Sequence, residues 1–272
     1  VLFIIAFYKG AKYTNGYEFR QSQEVREALK NFEGVENRYE QNKTGIDISG
    51  KELKKCNKRT PITSCKQTNG DKKLIIVGDS YSGVFSSIIS TQKELDITFF
   101  VHGQCPLHQE GVWFGSVPEC SDINKLRWVE IEKMEQSNIL IGTNFNQFAG
   151  GKKPIENYVP SVTKEFKEKV PKEEVYKSFR KSIEKLISLG HNPIILLQPP
   201  QPNKDIAKEL KRQISSGVLT FKEEWDAIPT TNIDNEVKNA LKGLDVTFID
   251  LNSKMCKENK CLTFNKNGGL YN

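Results

Sequence analysis

The sequence predicts an α/β fold on a parallel sheet covered on both faces, and three observations carry that expectation. Short apolar runs of strand length recur from Lys72 onward, most of them closed by a glycine or a turn. Segments of helical period separate them. A chain of 272 residues, 37% of them hydrophobic, is also long enough to bury a full core. Strands alternating with helices imply parallel pairing, because each return to the same edge of the sheet needs a crossover.

The elements follow in chain order. The opening stretch Val1-Leu-Phe-Ile-Ile-Ala-Phe7 is apolar, yet far short of the roughly 20 residues a bilayer requires. It reads as the last turns of a transmembrane helix that starts upstream. Residues 8–71 are polar and read as a juxtamembrane linker, with a short helix over 24–32 and a glycosylation sequon at Asn42-Lys-Thr44. Leu74–Val77 is then a buried strand ended by Gly78, and Ser82–Gln92 a following helix. Ile97–Val101 is a second strand ended by His102-Gly103, and Ser121 caps a helix to about Gln136 with Ile123, Leu126 and Ile131 on one face. Ile139–Ile141 is a third strand ended by Gly142. Val175, Phe179, Ile183, Leu186 and Ile187 mark a helix closed by Gly190. Ile194–Leu197 is a fourth strand, Asp205–Leu241 a helical insertion, and Val246–Ile249 a fifth strand.

Charge and cysteine content narrow the function. The net charge of +6 is spread along the chain, and its densest stretch, Lys51, Lys54, Lys55, Lys58 and Arg59, has no interleaved aromatic residues. Nucleic acid is therefore not an expected partner. The six cysteines fall in three local pairs, none with Cys-x-x-Cys spacing. Disulfides Cys56–Cys65, Cys105–Cys120 and Cys256–Cys261 in an oxidising compartment are the expectation.

The chemistry lies at strand ends. In a parallel α/β sheet, ligands bind beyond the carboxyl ends of the strands. In Gly78-Asp79-Ser80 a serine follows a buried strand and opens a helix, so its hydroxyl faces the crevice beside free main-chain N–H groups. Gly103 ends the second strand with no side chain to obstruct a substrate carbonyl. In Gly142-Thr143-Asn144, the Asn144 amide is placed to donate to the same oxygen. Taken singly, each is an ordinary turn or loop cap. Their succession, one after each of three consecutive strands, is the signal.

That succession resembles the SGNH/GDSL hydrolase superfamily, most closely the SGNH domain fused C-terminally to membrane acyltransferase-3 proteins. The further shared features are Cys105-Pro106 after the second strand, the late Cys256–Cys261 pair and the cysteine-bearing linker. The resemblance covers about Lys72 to Asn272 and implies a three-layer α/β/α sandwich with a flavodoxin-like parallel sheet. It implies Ser80 as nucleophile, with Gly103 and Asn144 in the oxyanion hole. By the same resemblance the catalytic Asp-x-x-His block falls just after Gly269-Leu270-Tyr271-Asn272, so this stretch alone is expected to be inactive.

The histidines within the chain, His102, His108 and His191, read as structural or surface residues. The implied activity is acyl transfer, of acetyl above all, to a cell-surface or envelope polysaccharide on the extracytoplasmic side. The acyl donor would be delivered by a membrane acyltransferase domain, the acceptor would be carbohydrate, and no cofactor or metal is expected. The rival readings are a carbohydrate esterase (deacetylase) and a non-catalytic carbohydrate-binding module. The implied division is 1–7 as the end of a transmembrane helix, 8–71 as linker and 72–272 as the SGNH domain.

Overall fold

The computed structural model describes residues 22–25, 27, 45–46, 52–53, 65–68, 70–83, 94–109, 120–146, 172–202, 206–217, 224–228, 230–258, 260–262, 264–265 and 268–269. In chain order the strands are β1 (Gly45–Ile46), β2 (Glu52–Leu53), β3 (Cys65–Thr68), β4 (Lys72–Gly78), β5 (Leu95–Val101), β6 (Asn138–Gly142) and β7 (Asn192–Leu196). They continue with β8 (Gln201–Pro202), β9 (Glu224–Ile228), β10 (Thr247–Ile249), β11 (Cys256–Lys257) and β12 (Lys260–Leu262). The helices are α1 (Cys120–Ile131), α2 (Lys172–Ser188), α3 (Ile206–Ser215), α4 (Thr231–Ala240) and the short α5 (Leu251–Met255). The expected tether at residues 1–7, the sequon at 42–44, Cys56 of the expected Cys56–Cys65 bridge and most of the expected helices over 24–32 and 82–92 lie outside the described residues. Among the described residues no helix is long and apolar enough to cross a membrane.

The chain forms two compact units, one comprising residues 40–200 and 229–254, the other residues 1–39, 201–228 and 255–272. The larger unit holds a sheet of order β10-β7-β6-β4-β5-β3-β1-β2. Its five strands β10, β7, β6, β4 and β5 are parallel. Ranked by sequence, their order is the doubly wound, flavodoxin-like one, with the switch point between β4 and β6. All five match apolar runs in the sequence; in β4 and β6 the reason is that a parallel strand covered on both faces must be apolar at successive positions, whereas the edge strand β10 is partly exposed. In β4, Ile75 and Val77 face a core built with Ile139, Ile141, Ile195, Trp128, Ile131, Phe179 and Ile183. Between them, Ile76 faces the opposite core with Ile97, Leu140 and Leu196. The side-chain period of two thus divides one strand between two cores. Strands β3, β1 and β2 extend the β5 edge with antiparallel pairs, so part of the stretch read as linker is built into this sheet.

Two helical expectations are corrected. Helix α1 begins at Cys120, so Ser121 lies inside its first turn, and it stops at Ile131 rather than near Gln136. Leu126 is 40% exposed, whereas Asn124, Arg127 and Trp128 are buried beside Ile123 and Ile131. An apolar-stripe reading cannot see buried polar residues that are satisfied by hydrogen bonds. The Asp205–Leu241 insertion is not wholly helical: β9 separates α3 from α4. In the smaller unit β9 pairs with β8 and β12, and β12 with β11.

A buried polar knot marks the places where the chain leaves the larger unit and returns. The Thr230 hydroxyl donates to the Gln198 carbonyl at 2.9 Å. The Gln198 main-chain N–H donates to Asp234 Oδ1 at 3.1 Å. Asn252 Nδ2 donates to Asp234 Oδ2 at 2.7 Å and to Thr230 Oγ1 at 2.6 Å. Gln198 lies just before the departure at residue 201, Thr230 just after the return at 229, and Asn252 just before the departure at 255.

Candidate active site

Strand register places the three sequence-predicted residues at one edge. Gly78 of β4 is paired with Val101 of β5 on one side and with Gly142 of β6 on the other. Gly103, Ser80 and Asn144 each stand two residues past that row, beyond the carboxyl ends of three adjacent strands. Ser80 and Asn144 flank the switch point itself, the usual ligand crevice of this topology.

The turn after β4 is built around glycine. Gly78 has φ +143°, and a Cβ there would lie 1.9 Å from the Gly142 carbonyl oxygen. No side chain fits in that gap, so β4 and β6 can converge at this point only through Gly78. Ser82 fastens the two strand ends. Its Oγ lies 2.7 Å from the Val77 carbonyl oxygen and 2.6 Å from that of Gly142, and it accepts the Gly142 N–H at 2.9 Å. Ser80 itself is exposed and opens a helical turn.

Asp79, 1% exposed, is the hub of the site. Its Oδ1 accepts the Tyr81 N–H at 2.9 Å, and its Oδ2 accepts the Thr143 hydroxyl at 2.9 Å and the Asn144 N–H at 2.8 Å. Burial pushes its carboxyl above the ordinary value. The Asn144 and Tyr81 N–H groups, the Thr143 hydroxyl and the charge of Arg127 pull it back down. The carboxylate of the residue before Ser80 thus holds Asn144 directly through its main-chain N–H. Asn144 Oδ1 has no hydrogen-bond partner among the described residues.

Gly103 lies in a turn closed by the Cys105 N–H donating to the His102 carbonyl at 3.2 Å. Gln104 in that turn has φ +59°, a left-handed value uncommon outside glycine, asparagine and aspartate. A Cβ added to Gly103 would meet nothing within 4 Å. Among the described residues no group demands a glycine there.

The three histidines divide by position. His191 Nδ1 accepts the Ser137 N–H at 3.3 Å, at the amino ends of β6 and β7, on the far side of the sheet from Ser80. His108 is buried, and burial, then the charge of Arg127, lowers it to about 3, so its ring stays neutral. Its Nδ1 lies 3.2 Å from Ser178 Oγ. His102 stands on the Ser80 edge, where its N–H donates to the Gly78 carbonyl at 3.1 Å. Among the described residues no cluster of His, Cys, Asp or Glu could hold a metal ion.

Among the described residues two disulfides brace the units. Cys105–Cys120 joins the turn after β5 to the first residue of α1. Cys256–Cys261 links directly opposed residues of β11 and β12. Sequence reasoning missed Arg127, whose guanidinium donates from Nη2 to the Gly78 carbonyl at 3.1 Å and from Nη1 to the Cys105 carbonyl at 2.9 Å. Nothing in its surroundings in sequence marks it.

A family model for the SGNH domain fused to AT3 domains matches residues 50–272. The periplasmic domain of a Salmonella ser. Paratyphi A lipopolysaccharide acetyltransferase superimposes with a TM-score of 0.52 at 18% identity, over 74% of this chain and 74% of that one. A Bacteroides fragilis protein assigned as an acylhydrolase aligns at 12% identity and TM-score 0.38, over 75% of this chain and 80% of its own. No curated protein sequence matches the chain.

Proposed function

The chain belongs to the family of SGNH domains fused to AT3 domains, and on that premise we propose that it transfers acyl groups through an acyl-enzyme on Ser80. The observation that carries this reading is the register row that sets Ser80, Gly103 and Asn144 two residues beyond adjacent strand ends, around the buried Asp79 carboxylate. Ser80 Oγ attacks the carbonyl carbon of an ester while a histidine base takes its proton. The tetrahedral oxyanion is held by the N–H groups of Ser80 and Gly103 and by the Asn144 amide. Collapse breaks the ester C–O bond, and the histidine returns its proton to the departing alcohol. A sugar hydroxyl, its proton taken by the histidine, then attacks the carbonyl of acyl-Ser80. The bond from acyl carbon to Ser80 Oγ breaks, the proton passes to Oγ, and the sugar leaves as the new ester. Water in place of the sugar makes the reaction hydrolysis.

The base and its aspartate belong to the Asp-x-x-His block that the family resemblance sets after Tyr271. His108 and His191 are poor candidates for the base, one buried and neutral, the other at the wrong ends of the strands. We place the domain outside the cytoplasm, tethered through its N-terminal side to a membrane acyltransferase domain that supplies the acyl donor. Fusion to AT3 domains in the family and the two disulfides support that placement. The Salmonella neighbour, an acetyltransferase of lipopolysaccharide, favours an acetyl donor and a glycan acceptor.

Three proteins test the reading: this chain, the chain extended through the Asp-x-x-His block, and the extended chain with Ser80→Ala, each assayed with p-nitrophenyl acetate. The extended protein is expected to turn over, and Ser80→Ala to fall by about 10³-fold or more. Undiminished activity in Ser80→Ala would overturn the assignment. Folded but inert protein in all three would favour the carbohydrate-binding module.

A further inference from the structure

Arg127 sits in the middle of α1 and is 4% exposed. A buried guanidinium is tolerated only where its donors and its charge are matched. Its Nη2 donates to the carbonyl of Gly78, the residue that ends β4. Its Nη1 donates to the carbonyl of Cys105, in the turn after β5, and to Asn124 Oδ1 at 3.0 Å. Asn124 in turn donates to the Pro106 carbonyl at 2.9 Å. One planar fork therefore ties the loop that carries Ser80 to the loop that carries Gly103. The third loop joins through charge: Asp79, one residue past the carbonyl that Arg127 grips, receives the Thr143 hydroxyl and the Asn144 N–H. Each partner acts on the other's charged state, Asp79 raising Arg127 and Arg127 lowering Asp79.

From this geometry we propose that Arg127 is a positioning residue of the Ser80 site, acting through the Gly78 carbonyl and the Asp79 carboxylate on all three strand-end loops. It rests on the reading of Ser80, Gly103 and Asn144 as the catalytic edge. The fork sets where the Ser80 and Gly103 N–H groups point, and the charge keeps the Asp79 carboxylate available to the Asn144 N–H. Burial lowers Arg127 to about 9, which leaves it cationic at neutral pH. The groups that face this pair are Tyr81 on the same turn as Asp79, Thr143 and Asn144 past β6, and the neutral His108 beside Arg127.

The test has one arm that needs no turnover. In this chain, carbon-13 NMR of the Asp79 carboxyl and the amide-proton shifts of Tyr81 and Asn144 are followed from pH 7 downward in wild type, Arg127→Gln and Arg127→Lys. In wild type both amide shifts are expected to titrate with the Asp79 carboxyl. Arg127→Gln moves that midpoint upward by half a pH unit or more; Arg127→Lys leaves it near wild type. The second arm is kcat and KM in the extended protein. Losing the fork is expected to lower kcat about tenfold or more in both variants with little change in KM, since small misplacements carry large rate penalties. The acid limb of kcat is expected to move to higher pH only in Arg127→Gln.

Should Arg127→Gln fail to fold, Arg127→Lys still decides: unchanged kcat in a folded Lys variant overturns the role of the fork. An Asp79 midpoint indifferent to Arg127→Gln, or Asn144 and Tyr81 amides indifferent to Asp79, overturns the coupling. If the wild type itself does not turn over while the NMR arm behaves as expected, the catalytic reading fails and the charge coupling stands.

Discussion

Gly78 and Gly103 occupy similar places in sequence, one ending a strand and one just after, yet their duties separate at the level of a single Cβ. At Gly78 the positive φ and the 1.9 Å approach to the Gly142 oxygen exclude any side chain. Gly78→Ala is therefore expected to lose several kcal/mol of stability, and circular dichroism of the purified variant would show a lowered or absent unfolding transition. At Gly103 an added methyl meets nothing among the described residues, so Gly103→Ala is expected to melt within about 1 kcal/mol of wild type. In the extended protein its activity is expected to fall by tenfold or more, because a methyl would stand where the substrate carbonyl approaches. Normal activity in Gly103→Ala would remove Gly103 from the oxyanion hole. Both glycines were readable as strand-end residues, but which neighbour each one faces depends on the β4–β6 approach, which no local pattern encodes. Asp79 was read only as the residue before the serine. Its link to Asn144, 65 positions on, is a product of register.

Helix α1 shows what hydrophobic patterning reads and what it misses. The central parallel strands were legible because double-sided burial leaves a continuous apolar run. On α1 the buried face mixes Ile123, Trp128 and Ile131 with Asn124 and Arg127, so its polar half looks like a solvated face. What turns that face inward is the carbonyls of Gly78, Cys105, Pro106 and His108, which accept from Arg127, Asn124 and Trp128, together with the bridge from Cys105 to Cys120 at the helix start. In the loop-entropy account a bridge over about 15 residues is worth on the order of 3 kcal/mol. The double variant Cys105→Ser, Cys120→Ser is expected to lose about that much in urea unfolding, and in the extended protein to lose kcat beyond what its folded fraction explains. Stability within 1 kcal/mol of wild type would show that the helix is held by Arg127, Asn124 and Trp128 without the bridge.

At the scale of the whole molecule, the knot of Gln198, Thr230, Asp234 and Asn252 decides how the larger unit responds to pH. Burial is the main cause raising the Asp234 carboxyl to about 6 from its ordinary 3.8. The folded state thus holds this proton more tightly than the unfolded chain does. Its contribution is fully present below about pH 4 and is lost as pH rises through 6. Across that window the stability difference between wild type and Asp234→Asn is expected to shift against wild type by on the order of 1–3 kcal/mol, measured by urea unfolding at several pH values. A flat difference would mean that the knot holds Asp234 ionised throughout. The knot was invisible in the sequence because its members come from three separate stretches, each unremarkable alone.

The Thr230–Gln198 hydrogen bond also draws shut the neck through which residues 201–228 leave and re-enter the larger unit. An excursion whose ends are already fastened adds little to the entropy of closing the chain, about 0.6 kcal/mol for each doubling of its length. The excursion is therefore free to lengthen, shorten or be exchanged over evolutionary time while the row of strand ends stays in register.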